Sequence, residues 1–197
     1  MSTPLWLSAL RPVGQCRLEP LMPGSAVLAW YATLEFTRWS PPLGASKLPW
    51  SITYGKTQIA RDDGTWTVAE IELVRRLREA GWHAGWVDTF GSAPQAWTEW
   101  LVKPISLPLS LRASYEAITR AAGSTGGGTP DIIAWQGESL ADAVFVEYKG
   151  PSDRVRPGQD VWFQGALRHG MSRDQFTVVK WPKMVGPRSA RSAPRRV

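Results

Sequence analysis

Hydrophobic and polar residues alternate with two different periods along the chain. In GTWTVAEIELVRRLREAGW, residues 64–82, apolar side chains recur at the spacing of one helix face. The positions that share this face are Val68, Ile71, Leu73, Val74 and Leu77. Thr67 is the expected N-cap and Gly81 the expected terminator, because these residue types favour those ends of a helix. The pattern therefore predicts an amphipathic helix between them.

Four shorter apolar stretches are typical of strands, since they are rich in β-branched and aromatic residues and most are bounded by turn residues. They are WHAGWVDTF (82–90), PDIIAW (130–135), AVFVEYK (143–149) and QFTVVKW (175–181). A second helical stretch, PGQDVWFQGALRHG, lies between the last two, and we expect its Trp162 to pack against the sheet. The order helix, strand, strand, strand, helix, strand predicts an α/β fold, a mixed β-sheet flanked by helices.

The stretches outside this pattern predict how the chain is divided. Residues 1–60 are punctuated by Pro and Trp, contain one strand-like run at 26–36, and are expected to be an N-terminal extension of unknown role. The main domain is expected at 61–181, with an insertion at about 91–128. The insertion contains a further helical stretch, LRASYEAITRAA, so we expect it to be helical.

The net charge of +6 lies in a tail rather than in the body of the chain. Beyond position 179 there is no acidic residue, and the six basic residues are Lys180, Lys183, Arg188, Arg191, Arg195 and Arg196. Residues 182–197 are rich in Pro, Ser and Arg and are expected to be a flexible basic tail. Such a tail suits a polyanion, because each neutralised phosphate releases counterions. Keeping the protein in solution is an equally open explanation.

The cysteine and histidine content narrows the kinds of metal site. Cys16 is the single cysteine, so no internal disulfide forms, and His83 and His169 are too few to build a Cys/His zinc cluster. Any metal must therefore be held by oxygen ligands. The sequence has neither an apolar run long enough to span a bilayer nor the basic start of a signal peptide. We expect no membrane association and a cytoplasmic location, in a prokaryotic or phage-infected cell.

One strand places an acid and a base side by side. In AVFVEYK, side chains alternate across the strand, so Glu147 and Lys149 share a face. Asp131 begins the preceding strand, and an antiparallel return of the chain would bring it alongside them. Two carboxylates and a lysine are a common set for holding Mg²⁺ near a phosphate group. The alternative is a solvated strand face with a weak ion pair, and an aspartate that only starts a strand.

GGGTPDIIAW, followed after a short hairpin by VFVEYKGPSDRVRPGQDVWFQGAL, resembles the VRR-NUC domain, the virus-type replication-repair nuclease branch of the PD-(D/E)XK superfamily. The matching positions are Pro130, Asp131, Glu147, Lys149, Gly150, Pro151, Asp153, Arg154, Gln159 and Trp162. The resemblance implies a restriction-endonuclease-like core. It also implies a site in which Asp131, Glu147 and the carbonyl of Tyr148 bind Mg²⁺ or Mn²⁺. Lys149 would lie beside the attacking water and Gln159 near the active site.

Upstream, AEIELVRRLREAGW resembles the opening helix of archaeal Holliday-junction resolvases and of the Fanconi-associated nuclease, where a glutamate joins the metal site. By that resemblance Glu70 is the matching residue, either as a ligand or beside one. Thr67 and Glu70 also have the spacing of a capping box, in which Glu70 would bind the cap's amide instead. Glu72, on a different face, is the substitute candidate.

The resemblance implies a metal-dependent DNA endonuclease, with branched or flapped DNA as substrate in repair or phage replication. Nucleic-acid contacts are expected from the turn after the strand AVFVEYK and from the tail, at Arg154, Arg156, Lys183, Arg188, Arg191, Arg195 and Arg196. Asp153 and Arg154 have the alternative of closing that turn. Two other functions stay open, a nucleic-acid-binding module without catalysis and an accessory subunit of a replication complex. Pairing of two copies is also open.

Overall fold

A computed structural model describes residues 2–39, 56–61, 65–88, 95–97, 104–123 and 128–181. Its α-helices are α1 (Ala69–Glu79), α2 (Leu109–Ala121) and α3 (Pro157–Arg168), and a 3₁₀ helix covers Leu5–Leu10. Its strands are β1 (Arg17–Pro20), β2 (Leu28–Thr33), β3 (Gln58–Ala60), β4 (Trp66–Val68), β5 (His83–Asp88), β6 (Gln95–Trp97), β7 (Pro104–Ile105), β8 (Ile132–Trp135), β9 (Ala143–Lys149) and β10 (Phe176–Lys180). Two further 3₁₀ turns lie at Leu140–Asp142 and Arg173–Gln175.

Eight strands form one mixed sheet in the order β1-β2-β10-β9-β8-β5-β6-β7, and β3 and β4 form a separate hairpin. Strand β10 runs parallel to both of its neighbours, β2 and β9, whereas the other pairs in the sheet are antiparallel. The predicted α/β class, a mixed sheet flanked by helices, is confirmed and fits a restriction-endonuclease-like core. Strands β1 and β2, which come from the expected N-terminal extension, belong to the same sheet as the predicted site strands.

Alternating side chains of β8 and β9 separate two hydrophobic layers. Ile132 and Val146 face a layer that contains α1, while Ile133 and Phe145 face a layer that contains α2 and α3. Trp162 of α3 is fully buried in the second layer, with its ring centroid 5.4 Å from that of Phe145. The expectation that Trp162 packs against the sheet is confirmed.

The start of α1 differs from the prediction. Thr67 is not the N-cap, because its backbone belongs to β4 and pairs with Ile59 of β3. The helix begins at Ala69 with Val68 as N-cap, and no side chain caps it. The strand ladder therefore extends past the residue that local capping preference would have chosen.

The end of α1 is as predicted. Gly81 has a φ of +87°, a backbone conformation that glycine adopts without steric cost. Its N–H donates to the carbonyl of Arg78, and the N–H of Trp82 donates to the carbonyl of Leu77. This is a Schellman ending, which satisfies two of the last carbonyls of the helix and turns the chain toward β5.

The insertion contains the predicted helix, which is α2, together with two short strands that the sequence pattern did not predict. Strand β6 pairs with the end of β5, and β7 pairs with β6, so the insertion widens the sheet at one edge. No helix in the described part of the chain is long and apolar enough to cross a membrane.

Candidate functional site

The hairpin of β8 and β9 brings Asp131 next to Glu147. Ile132 lies opposite Val146 in an antiparallel pair, so one step further along each strand places Asp131 opposite Glu147. The carboxylate of Asp131 accepts a hydrogen bond of 2.9 Å from the backbone N–H of Tyr148. The antiparallel return that the sequence predicted is confirmed, and both carboxylates lie at the same end of the hairpin.

Glu147 and Lys149 form an ion pair inside the protein. The Nζ atom of Lys149 lies 2.7 Å from Oε1 of Glu147, and the two residues are 7% and 2% exposed. The solvated strand face is therefore excluded as an explanation. A buried pair costs much more desolvation than a surface pair, and structures keep such pairs where further hydrogen bonds satisfy them.

Gln159 supplies one of these further hydrogen bonds. Its Nε2 donates to Oε1 of Glu147, while its Oε1 accepts a hydrogen bond of 2.9 Å from the N–H of Arg156. The amide thus connects the catalytic-candidate glutamate with the first turn of α3. Gln159 therefore lies beside Glu147, and its place in an active site stays a prediction.

The second oxygen of Glu147 has no such partner. Among the described residues, Oε2 of Glu147 is a buried atom without a hydrogen bond. Burial raises the pKa of Glu147 well above its usual value, and the charge of Asp131 raises it further, while Lys149 and Gln159 lower it in part. A buried carboxylate oxygen in this condition suits an added cation, which would both fill its lone pair and offset the charge of Asp131.

Glu70 is buried in the first turn of α1 and is held by a lysine. Its carboxylate pairs with Nζ of Lys56. Burial raises the pKa of Glu70, Lys56 lowers it, and Asp131 raises it again, so Glu70 lies within electrostatic reach of Asp131. The capping box with Thr67 does not form, because Thr67 belongs to β4.

Glu72 is not part of this group. It accepts hydrogen bonds from Arg75 and Arg76, at 2.7 to 3.0 Å, on the same helix. Its carboxylate is thus committed to two arginines, and Glu72 does not replace Glu70 beside Asp131.

Lys56 is the residue of this site that sequence reasoning missed. The register of the β3–β4 hairpin pairs Gln58 with Val68, and continuing it by two residues on each side places Lys56 opposite Glu70. The segment around Lys56 has no helical or strand period that would indicate a site. The hairpin pairing with the residues just before α1 is the signal that could have found it.

The geometry provides oxygen ligands but no complete metal site. Within the described ranges, no three Asp, Glu, His or Cys side chains come together closely enough to hold a metal ion as they stand. One oxygen of Glu147 binds Lys149, and one oxygen of Glu70 binds Lys56. The donors that are present, carboxylate oxygens with one unpartnered at Glu147, still fit a hard cation such as Mg²⁺ or Mn²⁺.

The carbonyl of Tyr148 is directed toward the β8 side of β9, where Asp131 lies. In a strand the N–H and C=O of one residue point to the same side, and the N–H of Tyr148 points to Asp131 on the β8 side. The register continues there to Pro130, which has no N–H to donate to that carbonyl. The Tyr148 carbonyl therefore lies on the same side of β9 as Asp131, and its role as a metal contact stays a prediction.

The turn after β9 closes on itself. Asp153 accepts a hydrogen bond from the N–H of Gly150, and its own N–H donates to the carbonyl of Gly150. This is the turn-closing role that was the alternative at this position. Arg154 and Arg156 are exposed, and their contact with nucleic acid stays a prediction. The predicted tail contacts at Lys183, Arg188, Arg191, Arg195 and Arg196 lie outside the described residues.

Comparison with protein families identifies a match in the C-terminal half of the chain. Residues 104–180 match the family model described as the VRR-NUC domain. The matched segment runs from β7 to β10 and contains Asp131, Glu147, Lys149 and Gln159, whereas Lys56 and Glu70 lie before it. No curated protein and no solved structure matches the chain.

Proposed function

We propose that this chain, in which residues 104–180 are a VRR-NUC domain and hence a nuclease domain of the PD-(D/E)XK type, hydrolyses phosphodiester bonds of DNA with a divalent cation. The observation that carries the proposal is the buried Glu147 carboxylate. One of its oxygens is held by Lys149 and Gln159, and the other, among the described residues, has no hydrogen-bond partner.

Four groups would hold the cation, namely the carboxylates of Asp131, Glu147 and Glu70 and the carbonyl of Tyr148. Mg²⁺ or Mn²⁺ bound there would acidify a water molecule and neutralise charge on the phosphodiester. Asp131 is fixed by the N–H of Tyr148, so it is oriented before any ligand arrives.

In this proposal, Gln159 orients the carboxylate of Glu147, and Lys149 neutralises charge near the phosphate. Gln159 holds the carboxylate of Glu147 in one rotamer through its two hydrogen bonds. Lys149 presents its ammonium group beside that carboxylate, where it would position the attacking water and stabilise the negative charge that develops on the phosphate. Exclusion of bulk water strengthens both effects, because these groups are buried.

The proposed substrate is branched or flapped DNA, in repair or phage replication, which follows from the resemblance to junction resolvases and the Fanconi-associated nuclease. In this proposal the exposed Arg154 and Arg156 would contact phosphates of the DNA. A homodimer would suit symmetric nicking of a junction, and a cytoplasmic location in a prokaryotic or phage-infected cell belongs to the same proposal.

A second candidate is a nucleic-acid-binding module without catalysis, acting alone or as an accessory subunit of a replication complex. The observation that favours it is the pairing of Glu70 with Lys56 and the lack of three clustered ligand side chains among the described residues. Two buried carboxylates that repel phosphate argue for the nuclease instead.

A cleavage panel separates the two. The full chain is incubated with labelled flaps, junctions, plain duplex, single strands and RNA, in Mg²⁺, Mn²⁺ or EDTA. We expect metal-dependent cutting of branched DNA by the wild type and none by Lys149→Ala or Asp131→Asn, with DNA binding retained. Asparagine still accepts the N–H of Tyr148, so Asp131→Asn should keep the fold.

Lys180→Ala is the matched control. Lys180 lies beside Lys149 in the register of β9 and β10 but is exposed, so its loss should leave cutting unchanged. Binding without cutting on every substrate and with both metals would favour the second candidate.

A further inference from the structure

Lys56 adds a positive charge to the cluster of carboxylates formed by Asp131, Glu147 and Glu70. It lies outside residues 104–180, which are called the VRR-NUC segment below. Its Nζ pairs with Glu70, and it also lies 5.2 Å from the centroid of the Trp86 ring, a favourable position for a cation. The Lys56 side chain is 25% exposed and that of Glu70 is 5% exposed, so the pair is largely shielded from water. Two neighbouring contacts thus fix this ammonium group.

The pKa of Lys56 is raised by the charges of all three carboxylates, not only by that of its direct partner Glu70. Burial alone would lower the pKa of Lys56, yet the charges of the carboxylates raise it above the usual value for a lysine. The carboxylates that act on it are Glu70, Asp131 and Glu147. The ammonium group therefore lies in the field that would attract a metal ion.

Counting charges shows what Lys56 does to that field. The three carboxylates together with Lys149 carry a formal charge that one divalent cation neutralises. With Lys56 added, half of that charge is already neutralised. A divalent cation that binds Glu70 would share this carboxylate with the ammonium group of Lys56.

We propose that the ammonium group of Lys56 is a built-in counter-ion that competes with a divalent cation for the three carboxylates and so sets the metal affinity of the site. This rests on the proposed function for the identity of the cation, Mg²⁺ or Mn²⁺. It adds Lys56 to the site as a positioning residue that acts through Glu70. It also predicts that a single divalent cation binds.

The test measures Mn²⁺ binding by titration calorimetry on the full chain, at a pH of about 8, where protons compete less for the carboxylates than at lower pH. Lys56→Met should bind Mn²⁺ about tenfold more tightly than the wild type or better, since a like charge a few ångströms away has been removed. Lys56→Arg keeps the charge and should stay within about threefold of the wild type.

Arg78→Ala is the charge-matched control. Arg78 is exposed on α1, the helix that carries Glu70, and lies about 12 Å from Glu70 along the helix axis. Its loss should therefore not change the Mn²⁺ affinity. A merely structural role of Lys56 would lower the melting temperature without tightening Mn²⁺ binding. If Lys56→Met does not fold, Lys56→Gln retains a donor for Glu70 without the charge.

The outcomes distinguish this inference from the proposed function. If the wild type binds Mn²⁺ and cuts DNA, but Lys56→Met binds Mn²⁺ equally or more weakly, only the inference about Lys56 is overturned. Tighter binding by Lys56→Met together with no cleavage by any variant supports the inference and removes the nuclease. Absence of Mn²⁺ binding in both the wild type and Lys56→Met overturns both.

Discussion

Both polar atoms of the Gln159 amide make a hydrogen bond. The nitrogen donates to Glu147, and the oxygen accepts from the backbone of Arg156. Replacing it with leucine keeps the volume but removes the donor to Glu147 and the acceptor for the N–H of Arg156. We expect cleavage to fall about 10- to 100-fold, as when a residue that orients a metal ligand is lost. Stability should fall by about 1–3 kcal/mol, because a buried charged acceptor loses its donor.

The matched control for Gln159→Leu is Gln164→Leu on the same helix. The amide of Gln164 bonds Asp160 and Arg168 on the helix surface and does not reach Glu147. Cleavage rates and urea unfolding of both variants check the prediction, and equal losses of cleavage in the two would contradict it.

Glu72 gives a pH-dependent contribution to stability. Burial alone would raise the pKa of Glu72, but hydrogen bonds from Arg75 and Arg76 lower it below its usual value of 4.5. A carboxylate with a lowered pKa stabilises the fold above 4.5 and loses that effect as the pH falls through its folded-state pKa. Glu72→Gln should therefore cost about 1–3 kcal/mol at neutral pH and much less in acid.

Urea unfolding of Glu72→Gln at neutral and acidic pH tests this, with Glu79→Gln as control. Glu79 pairs with Arg11 and Arg75 at the surface, so its loss should cost little at any pH. Since Glu72 does not lie beside Asp131, cleavage by Glu72→Gln should equal that of the wild type. A large loss of cleavage in Glu72→Gln would contradict this assignment.

Several site residues could be predicted from the sequence because their positions depend on local geometry. Alternation along one strand placed Glu147 beside Lys149, and a short hairpin placed Asp131 next to them. Lys56 could not be predicted, because its contact with Glu70 depends on the register of a hairpin whose strands carry no clear period. Thr67 was assigned to the wrong role, because the ladder with β3 outweighs a capping preference.

The same distinction holds for whole elements. Long periodic stretches gave α1, α2, α3 and the central strands. The edge strand β1 has only four residues and ends at Pro20, and β6 and β7 are shorter still. These strands form because a neighbouring strand offers unpaired backbone groups, and that information is absent from their own residues.

The N-terminus of α3 is positioned by a close contact between two glycines. A Cβ atom on Gly128 would lie 2.4 Å from the backbone oxygen of Gly158, in the residue before Gln159. Gly128→Ala must therefore push α3 away from the strand that begins after Pro130. We expect a loss of about 1–3 kcal/mol of stability and a clear loss of cleavage, because Gln159 moves with the helix.

Gly165→Ala is the control for this prediction. At Gly165 an added Cβ would meet its nearest atoms at 3.7 Å or more, an ordinary contact, and alanine favours the helix by about 0.5–1 kcal/mol. Thermal unfolding and cleavage by the two variants check the prediction. A Gly128→Ala protein as stable and active as Gly165→Ala would show that α3 tolerates the displacement.

At the scale of the whole molecule, the excess of basic residues is concentrated after position 179, whereas the rest of the chain is formally neutral. Deleting residues 183–197 removes five of the six basic residues that follow position 179. We expect weaker DNA binding and a flatter dependence of affinity on salt, because fewer counterions are released. A tail of the same length with each Arg and Lys replaced by Ser is the control for length. An unchanged salt slope would show that the tail only keeps the protein in solution.

The VRR-NUC segment does not contain all the structure that covers its own sheet. Strand β10 lies between β9 and β2, and β8 pairs with β5, so two partners of the segment come from residues before position 104. One face of β8, β9 and β10 is covered by residues of α1 and of the N-terminal 3₁₀ helix. Cutting the chain at position 104 would expose that apolar face and two strand edges.

We therefore expect residues 104–180 alone to be unfolded or aggregated, whereas residues 1–181 fold like the full chain. Amide dispersion in NMR spectra and cooperative thermal unfolding distinguish the two fragments. Residues 35–181 should fall between them, because they keep α1 and β5 but lose Leu7, Leu10 and strand β2. A well-dispersed spectrum from 104–180 would show that the matched segment is an independent domain. If it does not fold alone, the matched segment depends on residues outside it, among which residues 2–39 contribute side chains to both hydrophobic layers.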